Sequence, residues 1–372
     1  MTLNLTRRLM LTGAMGSSIA GAAACVSSVG AVTPAAAEAE GAFPVKAGID
    51  PYGPSQSARD MIEYAATQGA YYTSREAQIL LTEMIAEKNG VAPEQVVVTT
   101  GSGEVLSAIA LIYGPKGPIV APRLFWDTTA LYAVNLGMAK IDRVPLAADM
   151  SIDLPATEAK VTDSTGLVQL CNPNNPTGLV SDAATLQAAV KRMAAKTTVL
   201  IDEAYIELSD DPDANSCVPL INAGHDVIVT RTFSKIYGMA GVRVGYSISS
   251  AETAEKIRAT AMSWSPSLSI AAAIGCYNDE AFLTKSRSKI QEAREMVNMT
   301  VDTLGLTRLP SQTNFVYFKS GQEANDVQKA MAERKISVRG QYMDYNEWTR
   351  VSMGKIADVE RFCKALPEVL GA

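Results

Sequence analysis

The sequence has little histidine, no paired-cysteine motif and no excess of positive charge. His225 is the single histidine among 372 residues, so a His-rich metal site is nearly excluded. A Ser-His-Asp site would have to use His225, whose place in a loop-like AGHD segment favours a structural role. The five cysteines include no C-x-x-C spacing, so neither a zinc nor a dithiol redox motif is supported.

The charge balance excludes another class of function. A formal net charge of −6 argues against a general nucleic-acid binder, which would carry a basic stripe. Hydrophobic residues make up 47% of the chain and charged residues 19%, as in ordinary globular proteins. The length is sufficient for one large and one smaller domain.

The first 37 residues have the composition of a signal peptide. Arg7 and Arg8 precede a weakly apolar run rich in Ala, Gly and Ser, and Ala35–Ala37 provides a small-residue cleavage site. The paired arginines indicate a twin-arginine (Tat) leader, so we expect export to the periplasm, with membrane contact only through the export machinery. The run is too interrupted for a spanning anchor, and lipid attachment at Cys25 is a weaker alternative.

Strand-like and helix-like segments alternate through the middle of the chain. Strands are predicted at 95–100, 118–121, 139–144, 166–170, 198–201 and 226–230, with helices between them. This alternation predicts an α/β fold of three layers, with a mostly parallel central sheet in a large domain at 76–260. An N-terminal arm at 38–75 precedes it. A smaller α+β C-terminal domain at 261–372 contains a long helix at 281–304 and strands at 314–318, 336–339 and 350–353.

Polar residues follow several of these strands at their carboxyl ends, where ligands bind in such sheets. Gly101, Asn175, Asp202 and Lys235 are all placed at this edge. Lys235 stands close to small hydroxyls and eight residues before Arg243. An amine beside hydroxyls and an arginine suits a cofactor with an aldehyde and a phosphate, and pyridoxal 5'-phosphate (PLP) has both. On these residues alone, a surface lysine in a turn is an equally good interpretation.

Five motifs, taken in order, carry a family resemblance. They are CNPNNPTG at 171–178, IDEAYIEL at 201–208, TFSKIYGMAGVRVGY at 232–246, NFVYF at 314–318 and RVSMG at 350–354. With them the chain resembles the fold-type I PLP-dependent aminotransferases from about Gly48 to the C-terminus. It looks most like the histidinol-phosphate aminotransferase branch of class I/II. The resemblance implies a PLP-transferase fold, PLP as cofactor and a homodimer.

The resemblance assigns catalytic roles to Lys235, Asp202 and Tyr205, and contacts with cofactor and substrate to Asn175. Lys235 should hold PLP as a Schiff base and afterwards carry a proton between substrate and cofactor. Asp202 should pair with the protonated pyridine nitrogen and keep the ring electron-withdrawing. Asn175 and Tyr205 match the family's donors to the ring 3'-oxygen.

The phosphate of the cofactor is expected at a glycine turn that opens a helix. Ser102 and Gly103 should supply backbone N–H groups there, because a helix N-terminus favours anions. By the resemblance, Thr232, Ser234 and Arg243 complete the cradle.

Two further cofactor contacts are expected from aromatic residues. Trp126 is the expected ring-stacking aromatic, with Phe125 as the second choice. Tyr72 resembles the tyrosine that reaches the phosphate in the partner subunit, and Tyr71 competes with it.

The expected substrates are an L-amino acid, or a histidinol-phosphate-like amine, and a 2-oxo acid. Arg350 matches the arginine that binds the substrate α-carboxylate, and Arg339 is a weaker candidate for a distal group. Asp50 departs from the family's usual asparagine, which leaves the choice of substrate open. A PLP-dependent decarboxylase and a non-catalytic PLP-binding protein remain the alternatives.

Overall fold

The protein is described from a computed structural model, which covers residues 51–262 and 264–371. The predicted signal peptide at 1–37, together with Cys25 and Asp50, lies outside the described residues. Within those residues, no helix combines the length and the apolar character that crossing a bilayer requires.

Ten strands and thirteen helices are described, numbered here in chain order. The strands are β1 (Val96–Thr99), β2 (Ile119–Pro122), β3 (Ile141–Val144), β4 (Leu167–Cys171), β5 (Val199–Asp202), β6 (Val227–Thr232), β7 (Gly245–Ile248), β8 (Thr307–Arg308), β9 (Phe315–Lys319) and β10 (Trp348–Ser352). The helices are α1 (Gln56–Ala66), α2 (Arg75–Asn89), α3 (Ser102–Tyr113), α4 (Thr128–Asn135), α5 (Leu154–Lys160), α6 (Ala183–Ala194), α7 (Pro212–Asn215), α8 (Val218–Asn222), α9 (Ala251–Thr260), α10 (Ser267–Cys276), α11 (Glu280–Thr303), α12 (Ala324–Glu333) and α13 (Ile356–Leu370).

The first seven strands form one sheet in the order β1-β7-β6-β5-β4-β2-β3. The pairs β2/β3, β2/β4, β4/β5 and β5/β6 are parallel, whereas β7 is antiparallel to both β6 and β1. The mostly parallel central sheet predicted from the sequence is therefore confirmed. Strand β7 was not predicted, because its glycine-rich segment lacks an obvious strand pattern.

Both faces of this sheet are covered by helices, because its strands are apolar on both sides. Along β5, Val199 and Ile201 pack into the main core, while Leu200 between them packs with Ile109 of α3 and Ile257 of α9 on the other face. Continuous apolar runs of this kind are typical of parallel strands buried between two helical layers.

A small antiparallel sheet in the order β10-β9-β8 lies near the C-terminus. The long helix α11 packs on it through a buried stripe at helical spacing. The stripe consists of Leu283, Ser286, Ile290, Ala293, Val297 and Val301. The predicted long helix and the strands at 314–318 and 350–353 are thus present, with their bounds moved by one or two residues.

The prediction of a strand at 336–339 was wrong. Arg339 forms a single bridge with Arg350, and no ladder continues from it. The side chain of Gln328, from α12, donates to the Val338 carbonyl at 3.0 Å and so takes an acceptor that a neighbouring strand would have used. Lys335, just before this segment, adopts a left-handed backbone with φ 59°, which also interrupts an extended run.

Candidate active site

The carboxyl ends of β1, β4, β5 and β6 meet at one edge of the large sheet. Cys171 of β4 pairs with Asp202 of β5, and Asp202 pairs with Thr230 of β6, so these strand ends are level. Asn175 lies in the loop after β4, and Lys235 lies three residues beyond the end of β6. The structure therefore brings together the residues that the sequence placed at this edge.

The Lys235 side chain is enclosed by charged and aromatic neighbours. Its Nζ atom lies 5.1 Å from the centroid of the Tyr205 ring. Burial and, after it, the positive charge of Arg350 lower the pKa of Lys235 from 10.5 to about 8, while the charge of Asp202 opposes the shift. A lysine that loses its proton near neutral pH can act as a nucleophile and as a base.

Asp202 is a buried carboxylate with only 4% of its surface exposed. Burial raises its pKa to about 6, against the opposing effects of a hydrogen bond from Thr230 and the charge of Lys235. Thr230 Oγ1 donates that hydrogen bond to Asp202 Oδ1 at 3.1 Å. A cationic group placed against this carboxylate would hold it in the ionised form.

A chain of polar contacts joins Tyr205, Asn175 and Arg350. Asn175 Nδ2 lies 3.5 Å from the Tyr205 hydroxyl, and Arg350 Nη1 donates to Asn175 Oδ1 at 2.7 Å. The Arg350 guanidinium also lies over the ring of Phe315, with Cζ 4.8 Å from its centroid. Arg350 Nε is buried and has no hydrogen-bond partner among the described residues. A bound carboxylate would supply the missing acceptor.

The N-terminus of α3 and the segment after β6 form an anion cradle. Gly101, with φ 81°, is the N-cap, and a Cβ atom there would collide with the Arg243 guanidinium. Arg243 Nη1 donates to Ser234 Oγ at 3.3 Å, and Thr232 Oγ1 lies 3.0 Å from the same oxygen. The N-terminal turn of α3, two hydroxyls and a guanidinium are thus neighbours, and such a set of donors suits a phosphate.

The aromatic candidates occupy different surroundings. Trp126 follows β2 with 44% of its surface exposed, which leaves its ring accessible. Phe125 is buried, and Arg143 Cζ lies 5.7 Å from its ring centroid. The choice between them for stacking stays a prediction.

The two N-terminal tyrosines point away from the core of their own chain. Tyr72 is 85% exposed and Tyr71 is 73% exposed. Tyr72 makes an edge-on contact with Trp264, with ring centroids 5.2 Å apart. Neither tyrosine is buried against its own chain, so which of them serves a partner subunit stays a prediction.

Two further residues at the site carried no assignment from the sequence. Thr230 precedes Lys235 by five residues, and its hydrogen bond to Asp202 follows only from strand register. Tyr342 lies between two guanidinium groups, with its ring centroid 5.7 Å from Arg350 Cζ and 5.4 Å from Arg339 Cζ. No motif marks Tyr342, because the loop that carries it has no regular pattern.

Among the described residues, no group of three or more His, Cys, Asp or Glu side chains is arranged to hold a metal ion.

Residues 45–366 match the family model for aminotransferase class I and II. The chain belongs to this family. As a class I and II aminotransferase, it is 32% identical over 325 residues to the histidinol-phosphate aminotransferase of Halalkalibacterium halodurans, covering 86% of this chain and 87% of that protein. It is also 32% identical over 326 residues to the histidinol-phosphate aminotransferase of Symbiobacterium thermophilum, covering 87% and 89%.

The fold of this aminotransferase is also that of a solved relative. The crystal structure of histidinol-phosphate aminotransferase from Sinorhizobium meliloti in complex with pyridoxal-5'-phosphate superposes with a TM-score of 0.80 at 28% identity, covering 93% of this chain and 96% of that one. The predicted fold class and the predicted family are therefore confirmed.

Proposed function

We propose that the protein is a PLP-dependent aminotransferase that moves an amino group between an L-amino acid, or a histidinol-phosphate-like amine, and a 2-oxo acid. One observation carries the proposal. Lys235 and Asp202 lie at the same sheet edge with pKa values near 8 and 6, next to an arginine with a buried, unpaired Nε. Family membership gives the reaction class.

The residues present fit PLP. The cradle at Ser102, Gly103, Ser234 and Arg243 suits its phosphate, and the Asp202 carboxylate suits its protonated ring nitrogen. Tyr205 and Asn175 suit the ring oxygen. When bound, PLP supplies an aldehyde that takes up the donor amino group and a cationic ring that withdraws electrons from the donor Cα.

The side chains of this protein then have separate tasks. Arg350 binds the donor carboxylate and fixes the orientation of Cα toward Lys235. The neutral Lys235 amine removes the Cα proton, which its lowered pKa permits near neutral pH. Asp202 stays ionised beside the ring cation, and Thr230 orients the carboxylate through its hydrogen bond.

The lowered pKa of Lys235 predicts how cofactor capture depends on pH. The neutral amine attacks the aldehyde, and its fraction rises as pH increases through about 8. We therefore expect the rate of PLP uptake by the cofactor-free protein, followed by absorbance in a stopped-flow experiment, to reach half of its maximum at about pH 8 and to level off above that pH. A rate that continues to climb toward pH 10.5, the ordinary lysine value, would contradict the proposed environment.

An amino-donor screen tests the reaction itself. Donors that react should convert the absorbance of bound PLP to that of the pyridoxamine form, and the reacting donors identify the substrate class. Release of carbon dioxide in place of pyridoxamine formation would favour a decarboxylase.

Replacement of Arg350 by alanine should weaken the donor half-reaction by about 10²-fold in kcat/KM while PLP stays bound, because a charge-assisted pair is lost. Arg350→Lys keeps the charge and loses the fork, and should recover only part of the activity. An unchanged donor affinity in Arg350→Ala would refute the assignment. The half-reaction spectra measure kcat/KM and the donor affinity of each variant.

We also propose that the enzyme assembles as a homodimer. Two exposed tyrosines beside the exposed Trp264 are consistent with a homodimer in which Tyr72, or Tyr71, reaches the partner's phosphate site. Sedimentation of the purified protein should show a dimer. Tyr72→Phe should reduce the affinity for PLP, because the tyrosine hydroxyl would no longer reach the partner's phosphate site.

We further propose that the protein is exported to the periplasm by its twin-arginine leader. A folded, cofactor-loaded enzyme suits the Tat route, which carries folded proteins. Conversion of Arg7 and Arg8 to lysine should retain the precursor in the cytoplasm, as measured by cell fractionation, whereas the control Arg59→Lys should be exported normally. Equal periplasmic amounts of the double variant and the wild type would reject this route.

A further inference from the structure

The loop at 340–346 places Tyr342 beside Arg350 of the candidate site. It connects Arg339 to β10, the strand that carries Arg350. The Tyr342 ring in this loop lies against the guanidinium groups of both arginines. Burial raises the pKa of Tyr342, and the charges of Arg350 and Arg339 oppose the shift. The position of this loop therefore determines what lies against the arginine assigned to the donor carboxylate.

An ion pair fastens this loop to the large sheet. Arg123, directly after β2, donates from Nε to Asp344 Oδ1 at 3.2 Å, and its Nη2 lies 2.9 Å from Asp344 Oδ2. The contact is a two-point fork between residues 221 positions apart. It joins the carboxyl edge of the large sheet to the loop next to the small sheet.

Hydrogen bonds within the loop connect the segment that carries Asp344 to Tyr342. Tyr345 N donates to the Tyr342 carbonyl at 2.9 Å, and Gln341 Nε2 donates to the Met343 carbonyl at 2.6 Å. Asp344 lies between these contacts. The loop aromatics also pack on a small apolar cluster shared with the large domain, which contains Leu124, Leu146, Met150, Leu179, Leu309, Tyr317, Tyr342, Tyr345 and Trp348.

We infer that Arg123 and Asp344 are positioning residues for the amino donor. Their fork holds the loop at the sheet edge and keeps Tyr342 beside Arg350, so that the guanidinium presents its free edge to the donor carboxylate. This inference rests on the proposed aminotransferase function. It assigns to a surface ion pair a task in substrate binding rather than in folding.

The exposure of the pair limits the size of the effect. The side chains of Arg123 and Asp344 are 42% and 64% exposed. Exposed pairs contribute little, so Arg123→Ala should raise KM for the amino donor about three- to fivefold with kcat close to wild type. Salt screens such charges, so the ratio of variant to wild-type KM should fall toward one as NaCl is raised to about 1 M.

A second exposed fork provides a matched control. Arg308 Nε and Nη2 each lie 2.8 Å from a carboxylate oxygen of Asp302, at the end of α11 and away from the sheet edge. Arg308→Ala removes the same kind of interaction and should leave KM and its salt dependence unchanged. Thermal unfolding of both variants shows whether stability alone accounts for any difference.

A further test exchanges the charges of Arg123 and Asp344 in the holoenzyme. Arg123→Asp and Asp344→Arg should each raise KM more than Arg123→Ala, because like charges then face each other, and the double variant should return KM toward wild type. Wild-type KM in Arg123→Ala at low salt, or a double variant no better than the single ones, would overturn this inference alone. A wild-type holoenzyme that converts no donor would overturn the proposed function as well.

Discussion

Replacing Lys235 with alanine is expected to abolish transamination, with kcat reduced by about 10⁴-fold or more, because the nucleophile and the proton carrier are lost together. The purified variant should lack the yellow colour of the wild type. Borohydride treatment of the wild type should fix a pyridoxyl group on the peptide that contains Lys235. Absorbance spectra, steady-state kinetics and peptide mapping measure these three outcomes.

A conservative variant separates chemistry from charge at this position. Lys235→Arg keeps a cation near Asp202 and Tyr205 but supplies no amine that can attack an aldehyde or lose a proton near neutral pH. It should be as inactive as the alanine variant, with PLP bound only noncovalently. A borohydride label on another lysine, or substantial turnover by either variant, would refute the role assigned to Lys235.

Replacing Asp202 with asparagine should lower kcat by about 10²- to 10³-fold, the usual cost of removing a preorganised electrostatic contact. The neutral amide cannot hold a proton on the ring nitrogen, so the ring loses its capacity to withdraw electrons from the donor Cα. The variant should still attach PLP to Lys235, with an altered absorption band. The single-turnover rate with an excess of donor measures the effect on chemistry.

Asp226 offers a matched comparison at the opposite edge of the same strands. Its Oδ2 accepts a hydrogen bond from Thr198 at 2.6 Å, before the amino end of β6. Asp226→Asn therefore changes a strand-end carboxylate in the same sheet without reaching the candidate site. It should leave the single-turnover rate close to wild type. An equal loss of rate in both variants would mean that the effect of Asp202→Asn is structural.

Local sequence signals were sufficient for much of the candidate site. Lys235, Asp202, Asn175 and Gly101 each follow an apolar run of strand length, and parallel strands bring such positions to one edge. The glycine before α3 predicted a helix N-terminus open to an anion, and the structure places Arg243 against that glycine. These features depend on short stretches of chain, which is why pattern and spacing reveal them.

Other features depend on contacts that no local pattern encodes. Arg350 meets Asn175 across 175 positions, and Thr230 meets Asp202 through the register of two strands. The strand expected at 336–339 failed because a glutamine from a neighbouring helix takes one of its carbonyls. The segment at Gly245–Ile248 forms a strand because β1 and β6 offer it partners on both sides.

The sequence by itself determined the family, the mostly parallel sheet and the residues at the ends of its strands, because those depend on apolar periodicity and on motifs within single segments. Only the tertiary structure decided the electrostatics of the site. The pKa of Lys235 falls to about 8 and that of Asp202 rises to about 6 chiefly through burial, and burial follows from how distant segments pack around them. The same holds for the Arg123–Asp344 fork, which exists only because the loop at 340–346 folds back onto the large sheet.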